Sequence, residues 1–441
     1  MPTRTDAGAA GGALRIVHVY DGDYPTPDVR TEKVSRALTD AGHEVHIVAR
    51  NRAWQATREE RSEGVVHRMH PWRWIGQRVD AALGFPAFAS PRWISLLAST
   101  ISAVRPHVIL ARDLPLCPAA IWVGRWFGVP VVFDMAENYP AMMRDIWDVG
   151  RQGPFDWLLR NPTAVAAVER YCIGSVDHII VVIEESATRL IQLGANEEDI
   201  SIVRNTPLLS RVPPLVDRAG RAADAPLELV YLGLIELPRG IAELLEAVAL
   251  LRNEGGPRPV RCTLIGSGRD ELLLRARAHE LGLGEAARFL GFIPYQDALP
   301  ILARADVGVV PHRASEAWNT TIPNKLFDYM AAGLPVITSD AVPAARIVRE
   351  SSAGEVFQSA NSRDLAAAIM RLFDNEVRLA RGQVGRRAVV ERYNWANDAA
   401  ELVRTVEFVA HRGAKTTRAD SQTQEQQDVP TKIWRATSRS P

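Results

Sequence analysis

Two charged side chains, Lys325 and Asp328, lie three residues apart in a segment with well-marked ends. The segment predicts a short helix that begins at Pro323, because proline has no N–H to lose in a first helical turn, and that stops at Gly333. Side chains at this spacing share one face of a helix, and the unpaired N–H groups of its first turn favour an anion. Such a face has the groups to hold a diphosphate and a ribose together. The alternative is an ordinary amphipathic helix in a parallel α/β sheet.

Alternating strands and helices must position this pair. Strands of the first half are predicted at residues 14–20, 45–49, 108–110, 129–133 and 178–183, with a first helix at residues 30–41. Strands of the second half are predicted at residues 227–232, 261–265, 287–290, 307–310, 336–338 and 354–357. Such alternation is typical of parallel, doubly wound sheets. The sequence thus predicts the α/β class, with two Rossmann-like domains that face a cleft, where ligands bind in such folds.

Composition along the chain predicts the domain boundaries. The N-terminal domain is expected at residues 14–207, and a linker with three prolines and mixed charge follows at residues 208–226. The C-terminal domain is expected at residues 227–394, and a last helix at residues 395–411. Residues 412–441 are rich in Thr, Gln and Ser and poor in apolar residues, which predicts a disordered tail.

The run Pro-Asn-Lys-Leu-Phe-Asp-Tyr-Met at residues 323–330 resembles the signature of the family 4 glycosyltransferases. It is most similar to their Pro-Asn-Lys-Leu-Phe-Glu-Tyr-Met subgroup, and the order and spacing of other blocks agree over residues 14–411. The family consists of retaining enzymes with the two-domain GT-B fold. The resemblance implies that the N-terminal domain binds the acceptor and that the C-terminal domain binds a nucleotide sugar. It also implies that the last helix crosses back onto the first domain.

The resemblance places the donor site in the second domain. Departure of a nucleoside diphosphate requires cations around the phosphates, and Arg239 and Lys325 are the candidates. Asp328 is expected to hold the ribose, with a side chain one methylene shorter than the usual glutamate. The other donor contacts implied by the resemblance are Gly233 in the phosphate loop, Gly266 and Gly268 after the next strand, Phe292 and Ile293 at the base, and Asn324. The Gly-x-Gly pair also suits a tight strand-to-helix turn that binds nothing.

Charged residues at strand ends of the first domain are candidates for chemistry and for the acceptor. Glu137 follows an apolar strand and completes the catalytic set with Arg239 and Lys325, as an acid or base or as a partner of a sugar hydroxyl. Its alternative is a solvated loop carboxylate. The acceptor candidates are Arg30 on the first helix and the neighbours Arg112 and Asp113 at another strand end. For the last two the alternative is a structural salt bridge.

Three positions depart from the family pattern. Leu234 stands where many members have an arginine after the phosphate-loop glycine, which leaves more of the phosphate charge to Arg239. Ala136 stands where a histidine is expected near the sugar or acceptor. Thr320 stands where many members have an acidic residue. Ala136 and Leu234 motivate the alternative of a protein that binds a nucleotide without catalysis.

Aromatic residues and arginines are interleaved over residues 52–93. The aromatic residues are Trp54, Trp72, Trp74, Phe85, Phe88 and Trp93, and the arginines are Arg58, Arg61, Arg68, Arg73, Arg78 and Arg92. Tryptophan and arginine suit a membrane interface with anionic lipid. We expect peripheral binding to the inner face of the cell membrane, with a polyprenyl-diphosphate-linked acceptor. The alternative is an aromatic-rich lobe packed on the first domain.

Composition and charge argue against several classes of protein. The chain has 441 residues, 47% of them apolar, and 52 basic residues balance 52 acidic ones, so no overall field favours nucleic acid. The three cysteines lack metal-ligand spacing, and we interpret them as buried thiols in a reducing compartment. Neither a signal peptide nor a membrane-spanning apolar stretch is recognisable. We expect a cytoplasmic protein with no metal and no cofactor other than the sugar nucleotide.

One function is expected, with alternatives from other classes. The expected function is retaining, metal-independent transfer of a hexose from a UDP- or GDP-sugar to an acceptor, in cell-surface polysaccharide or glycolipid biosynthesis. A cytosolic acceptor is also open. The alternatives are a GT-B sugar-nucleotide epimerase, which needs no acceptor, and a non-catalytic nucleotide-binding pseudoglycosyltransferase. An NAD dehydrogenase is disfavoured because neither first strand leads into Gly-x-Gly-x-x-Gly.

Overall fold

The computed structural model of the chain describes residues 12–25, 29–83, 87–148, 161–212, 214–215 and 225–427. Parts of two predicted segments, residues 213 and 216–224 of the linker and residues 428–441 of the tail, lie outside the described residues. Phe85 also lies outside them. No described helix is long and apolar enough to cross a membrane.

The described part of the first domain contains one eight-stranded sheet. Its strands are β1 (Arg15–Asp23), β2 (Glu44–Arg50), β3 (Arg58–Arg61), β4 (Gly64–Arg68), β5 (Val108–Arg112), β6 (Val131–Met135), β7 (His178–Val181) and β8 (Ile200–Ile202). Their order is β3-β4-β2-β1-β5-β6-β7-β8. All neighbours are parallel except β3 and β4. The central strands β5, β6 and β7 are buried throughout, as expected for a parallel sheet covered on both faces.

Helices cover both faces of this sheet. They are α1 (Val29–Asp40), α2 (Gln77–Ala82), α3 (Pro91–Val104), α4 (Cys117–Phe127), α5 (Tyr139–Asp148), α6 (Pro162–Ile173) and α7 (Glu184–Gln192). Helices α3, α4 and α6 contribute Trp93, Ile121 and Cys172 to the core on one face. Helix α1 contributes Val34 and Leu38 to the core on the other face.

The second domain has a sheet that is parallel throughout its described residues. Its strands are β9 (Leu227–Leu232), β10 (Val260–Ile265), β11 (Ala287–Gly291), β12 (Val307–Val310), β13 (Val336–Ser339) and β14 (Gly354–Phe357), in the order β11-β10-β9-β12-β13-β14. Its helices are α8 (Ile241–Glu254), α9 (Glu271–Glu280), α10 (Tyr295–Arg304), α11 (Lys325–Ala331), α12 (Val342–Ser351), α13 (Ser362–Arg371) and α14 (Asn375–Glu391). Short 3₁₀ turns occur at Arg73–Ile75, Ala87–Ala89, Leu114–Leu116, Glu197–Asp199, Leu209–Arg211, Leu237–Arg239 and Gly284–Ala286. The structure confirms the prediction of two parallel α/β domains.

The last helix, α15 (Trp395–Gln427), returns to the first domain. Its residues Trp395, Leu402 and Val406 join the core formed by α1 and the first sheet. The backbone N–H of Trp395 also donates to the carbonyl of Pro207, at 2.9 Å, where the chain leaves the first domain. Two connections therefore tie the domains together at one side of the cleft.

The structure differs from the predicted elements in two respects. Three strands, β3, β4 and β8, were not predicted. Strand β3 is a polar edge strand and β8 has only three residues, so neither of these two gives a clear apolar alternation. Helix α15 continues to Gln427, so residues 412–427 are helical where the sequence predicted a disordered tail. That segment contains Ala, Arg, Lys, Glu and Gln, which favour the helix even without an apolar face.

Close approach of two loops makes Gly266 a sensitive position. Its φ is +136°, and a Cβ added there would lie 1.9 Å from the carbonyl oxygen of Gly233. We expect Gly266→Ala to destabilise the protein by about 2–4 kcal/mol through strain and overpacking. Gly282, with φ +65° and open space around it, is the control, and Gly282→Ala should cost only about 1 kcal/mol. Urea unfolding measures both, and equal losses would contradict the packing argument.

Candidate active site

A cleft of about 620 Å³ lies between the carboxyl ends of the two sheets. Residues of both domains line it, as expected for tandem α/β domains. The predicted site residues on its wall are Arg30, Arg112, Glu137, Arg239, Asn324, Lys325 and Asp328. The structure therefore brings candidate donor, catalytic and acceptor residues into one cleft.

Lys325 is buried in the first turn of α11. Its Nζ atom lies 3.3 Å from Nε2 of His312 and 3.9 Å from the centre of the Tyr231 ring. Burial, and then the charge of Arg239, hold the pKa of the Lys325 ammonium well below its usual value, although Asp328 opposes the shift. An anion bound next to this side chain would raise that pKa and favour the charged form.

An aromatic ring connects Arg239 with His312. The Arg239 guanidinium lies 5.0 Å from the centre of the Trp318 ring, and the rings of Trp318 and His312 are 4.0 Å apart. Burial, followed by the charges of Lys325 and Arg239, lowers the pKa of His312 well below its usual value. A neutral imidazole next to Lys325 is the result. Sequence reasoning missed His312 and Trp318, which come from the loop between β12 and α11.

The phosphate-loop glycines have clear structural reasons. Gly233 has φ +138°, and a Cβ there would lie 2.7 Å from Nζ of Lys325. Gly240 has φ +70°, and a Cβ there would lie 1.7 Å from the carbonyl oxygen of Pro311. Gly266 packs on Gly233 in the same way, and a Cβ on Gly268 would lie 2.3 Å from the carbonyl oxygen of Ile235. Gly266 and Gly268 thus support the loop from behind, which agrees with the tight-turn alternative for this pair.

A further cation reaches the cleft near Leu234. Leu234, which stands where many family members have an arginine, lines the cleft and is 49% exposed. This point of the loop therefore contributes no positive charge. Arg269 lines the same cleft, and its Nε atom lies 3.4 Å from Oε1 of Glu236. Glu236 also lies 3.9 Å from Nε of Arg239. Sequence reasoning missed Arg269 because it follows β10, well away from the phosphate loop in sequence.

Asp328 lies on the same wall as Lys325 and accepts a hydrogen bond from the Tyr295 hydroxyl at 2.8 Å. Burial raises the pKa of the Asp328 carboxyl to about 6, although Tyr295, Lys33 and Lys325 all favour its ionised form. Tyr295, at the start of α10, was not predicted. Above about pH 6 the carboxylate is ionised and can accept hydrogen bonds from ligand hydroxyls.

Arg30 lines the cleft, but Asp134 engages its guanidinium. Arg30 donates to Oδ1 and Oδ2 of Asp134 at 2.5 and 3.0 Å, and to the carbonyl of Val203 at 3.0 Å. Burial raises the pKa of the Asp134 carboxyl, but the charge and hydrogen bonds of Arg30, with the charges of Arg112 and His18, together hold it below the usual value. Arg30 therefore ties α1 to β6 and to the chain leaving β8, and its contact with an acceptor stays a prediction.

Arg112 and Asp113 form an ion pair at the end of β5, as the structural alternative predicted. Asp113 also accepts a hydrogen bond from the N–H of Ala136 at 3.1 Å and has a φ of +58°. Burial raises the pKa of the Asp113 carboxyl to about 7, with Glu137 and Asp134 adding to the shift and Arg112 opposing it. Arg112 lines the cleft, whereas Asp113 lies behind it.

The remaining predicted residues differ in their positions. Glu137 and Asn324 are exposed and line the cleft. Phe292 is 70% exposed just beyond β11, and Ile293 is half-buried against the apolar cluster that includes α11. These two residues stand outside the cleft wall, on the side of Tyr295.

Polar contacts across the cleft hold the domains close together. The amide of Asn138 donates to the Thr320 hydroxyl at 2.8 Å, and the Ser315 hydroxyl donates to Asp145 at 2.9 Å. The Thr321 hydroxyl donates to the carbonyl of Ala136 at 3.2 Å. Thr320 and Ala136, two of the three departures from the family pattern, therefore lie at the domain interface.

The lobe at residues 52–93 has a packed part and an exposed part. Trp93 is fully buried, and Arg61, Arg68 and Arg92 form ion pairs with acidic residues of the lobe. Trp74 is 81% exposed and stacks on Trp72, with ring centres 6.0 Å apart. Packing around Trp93 agrees with the alternative of a packed lobe, and membrane binding by the exposed part stays a prediction.

The described residues contain no group of three or more His, Cys, Asp and Glu side chains arranged to hold a metal ion. Cys117, Cys172 and Cys262 are buried free thiols, as predicted. The chemistry that this wall can support is the binding of an anion and the stabilisation of negative charge.

Two family models match the chain. Residues 26–206 match a "Glycosyl transferase 4-like domain", and residues 226–375 match "Glycosyl transferases group 1". The chain is 30% identical over 232 residues to a phosphatidyl-myo-inositol mannosyltransferase of Mycobacterium leprae, a match that covers 51% of this chain and 56% of that one. It is 24% identical over 396 residues to a glycogen synthase of Mycobacterium tuberculosis, a match that covers 87% and 90%. The chain thus spans about half the length of the mannosyltransferase.

Solved structures of low sequence identity share the fold. Sucrose-phosphate synthase from Thermosynechococcus elongatus gives a TM-score of 0.73 at 18% identity, over 89% of this chain and 98% of that one. Anabaena HepE in complex with UDP and glucose gives a TM-score of 0.67 at 13% identity, over 89% and 99%. The fold is therefore GT-B, which confirms the predicted architecture.

The raised pKa of Asp328 predicts a pH-dependent gain in stability for Asp328→Asn. The folded state holds this proton more tightly than the unfolded state, so ionisation destabilises the fold as pH rises from about 4 to about 6. Asparagine does not ionise, and we expect Asp328→Asn to raise the free energy of unfolding more at pH 8 than at pH 5. Urea unfolding at both pH values measures the difference, with exposed Asp297→Asn as the control. A gain that is equal at both pH values would contradict the assigned pKa.

Proposed function

The chain belongs to the group 1, GT4-type glycosyltransferases, and we propose that it transfers a sugar from a nucleoside diphosphate sugar to an acceptor. The observation that carries the proposal is the cationic end of the cleft. There, Lys325 and Arg239 line the same wall, and the rings of Trp318 and His312 lie between them. Two cations held together in a buried site favour a multiply charged anion such as a diphosphate.

The carboxylate on the same wall supports a nucleoside rather than a free diphosphate. Asp328 lies one helical turn from Lys325 and is oriented by the Tyr295 hydroxyl. Ribose hydroxyls would donate to this carboxylate while the phosphates contact Lys325, Arg239 and Arg269. The base would then extend towards Phe292 and Ile293. The solved relative HepE carries UDP, which favours UDP among the candidate nucleotides.

In the proposed reaction the bond between the sugar and the diphosphate breaks, and the acceptor oxygen attacks the same face of the sugar. Negative charge develops on the leaving diphosphate, where the cations stabilise it more strongly than in the ground state. The acceptor proton passes to the leaving diphosphate or to Glu137, which faces the cleft. We propose retention of configuration and independence of metal ions on the resemblance to the GT4 enzymes.

We propose a lipid-linked acceptor and a role in cell-surface polysaccharide or glycolipid assembly. Support comes from two curated relatives, the phosphatidyl-myo-inositol mannosyltransferase and the amylovoran biosynthesis glycosyltransferase of Erwinia amylovora, which is 26% identical over 205 residues. The name of the first relative contains a lipid, and the name of the second contains a polysaccharide. The acceptor domain would then work at the inner face of the cell membrane.

A thermal-shift panel with UDP, GDP, ADP, dTDP and NAD tests the donor site. One nucleoside diphosphate should stabilise the wild type by about 2.7 kcal/mol at a hundredfold excess over its dissociation constant. Lys325→Ala and Asp328→Ala should lose most of this shift, because they remove a phosphate cation and the ribose carboxylate. Exposed Arg275→Ala and Asp297→Ala are the controls and should keep the full shift. Equal shifts in all five proteins, or none, would contradict the donor site.

Product analysis separates transfer from the alternatives. With an α-linked donor we expect an α-linked product by NMR, in the presence of EDTA and only when an acceptor is added. Inversion would contradict the proposed stereochemistry. A new sugar nucleotide formed without acceptor would favour an epimerase, and nucleotide binding with no turnover would favour a pseudoenzyme.

A further inference from the structure

The exposed face of α3, α4 and α6 carries a cluster of aromatic side chains that the cleft does not use. Trp126 is 76% exposed, Phe127 43%, Trp122 42% and Tyr171 38%. Trp122 and Trp126 lie one helical turn apart on α4, and the Trp122 indole N–H donates to the Tyr171 hydroxyl on α6 at 2.9 Å. Trp122, Trp126 and Tyr171 therefore form one patch, and Phe127 follows at the end of α4; we call these four residues the α4 face. Surface aromatic residues gathered in this way mark an interaction site.

The charged side chains exposed on α4, on α6 and at the end of α3 are all basic, and one exposed carboxylate, Asp177, lies at the rim. Arg125 and Arg170 are exposed on α4 and α6, and Arg105 is exposed at the end of α3. The three helices contain one acidic residue, Glu169, which is buried against Arg189. At the rim, Asp177 accepts a hydrogen bond from the backbone N–H of Val131 at 2.8 Å.

We propose that the α4 face docks the protein on a membrane surface that contains anionic lipid. Indole and phenol rings reside at headgroup depth, and arginines next to them meet the lipid phosphates. A second copy of this chain fits less well, because pairing the α4 face with itself would bring arginines together without acidic partners. The inference rests on the lipid-linked acceptor of the proposed function and names the surface that reaches it.

The position of the α4 face relative to the cleft agrees with this role. Helix α5 packs on α6, and its residues Met142, Asp145 and Ile146 line the cleft. A bilayer on the α4 face would therefore lie next to the wall of the acceptor domain. The lobe at residues 52–93 presents a smaller exposed aromatic pair and neutralises most of its arginines internally.

Co-sedimentation with vesicles of phosphatidylcholine, alone or mixed with phosphatidylglycerol, tests the proposal. We expect the full chain to bind the mixed vesicles and to bind phosphatidylcholine weakly. Arg125→Glu with Arg170→Glu should weaken binding to mixed vesicles at least about thirtyfold, since each arginine contributes about 1 kcal/mol near an anionic surface. Trp126→Ser with Phe127→Ser should weaken binding to both vesicle types.

Two matched controls locate the binding surface. Trp74→Ser with Arg73→Glu alters the lobe, and Leu272→Ser with Arg275→Glu alters an exposed site of the second domain; both should bind vesicles as the wild type does. Wild-type binding by the α4-face variants, or loss of binding in the lobe variant, would overturn the proposal. A wild-type dimer that the α4-face variants convert to monomer, seen by light scattering, would also overturn it.

The nucleotide thermal shift separates this inference from the proposed function. The α4-face variants should keep the full shift, which shows that they fold and retain the donor site. An intact shift together with unchanged vesicle binding in these variants would reject the α4 face alone. A missing shift in the wild type would instead reject the donor site.

Discussion

Burial of Lys325 next to Arg239 is the constraint on which the cleft depends. Removing an ammonium group from water near a like charge is unfavourable, and the lowered pKa of Lys325 expresses that cost. The surroundings reduce the cost in specific ways. The Tyr231 ring faces the ammonium, neutral His312 lies within hydrogen-bond distance, and the missing side chain of Gly233 leaves room for Nζ. Such an arrangement gains most when a multiply charged anion binds.

Two connections and a ring of polar contacts bring the acceptor domain to this site. Helix α15 packs on α1, and the Arg30–Asp134 pair fixes α1 to the centre of the first sheet. Hydrogen bonds then join the first domain to the loop before α11 across the cleft. They involve Asn138, Asp145 and the carbonyl of Ala136. The same loop carries His312 and Trp318, so closure of the domains and the shape of the phosphate end are coupled through one segment. This coupling provides a route by which acceptor-domain contacts influence donor binding.

The sequence predicted the two-domain fold and the helix that carries Lys325 and Asp328, because both leave local signals. Apolar strands alternating with helices gave the two sheets, and Pro323 and Gly333 bracketed the helix that carries Lys325 and Asp328. His312, Trp318, Tyr295 and Arg269 were not predicted, since their side chains meet at the cleft only through tertiary packing. The ion pair of Arg30 with Asp134 was also not predicted, because the two residues lie 104 positions apart and no local pattern records the pair. The helical residues 412–427 were missed because polar helix formers resemble a disordered tail in composition.

One measurement tests directly whether buried Lys325 is held ready for an anion. It is the proton uptake that accompanies nucleoside diphosphate binding, measured by calorimetry at pH 8 in buffers of different ionisation enthalpy. A bound diphosphate should raise the lowered pKa of Lys325, so we expect the wild type to take up protons when it binds the ligand. Lys325→Met, studied at higher ligand concentration, should bind more weakly and lose that uptake. Binding without proton uptake, or the same uptake in Lys325→Met, would contradict the claim that this buried lysine is held ready for an anion.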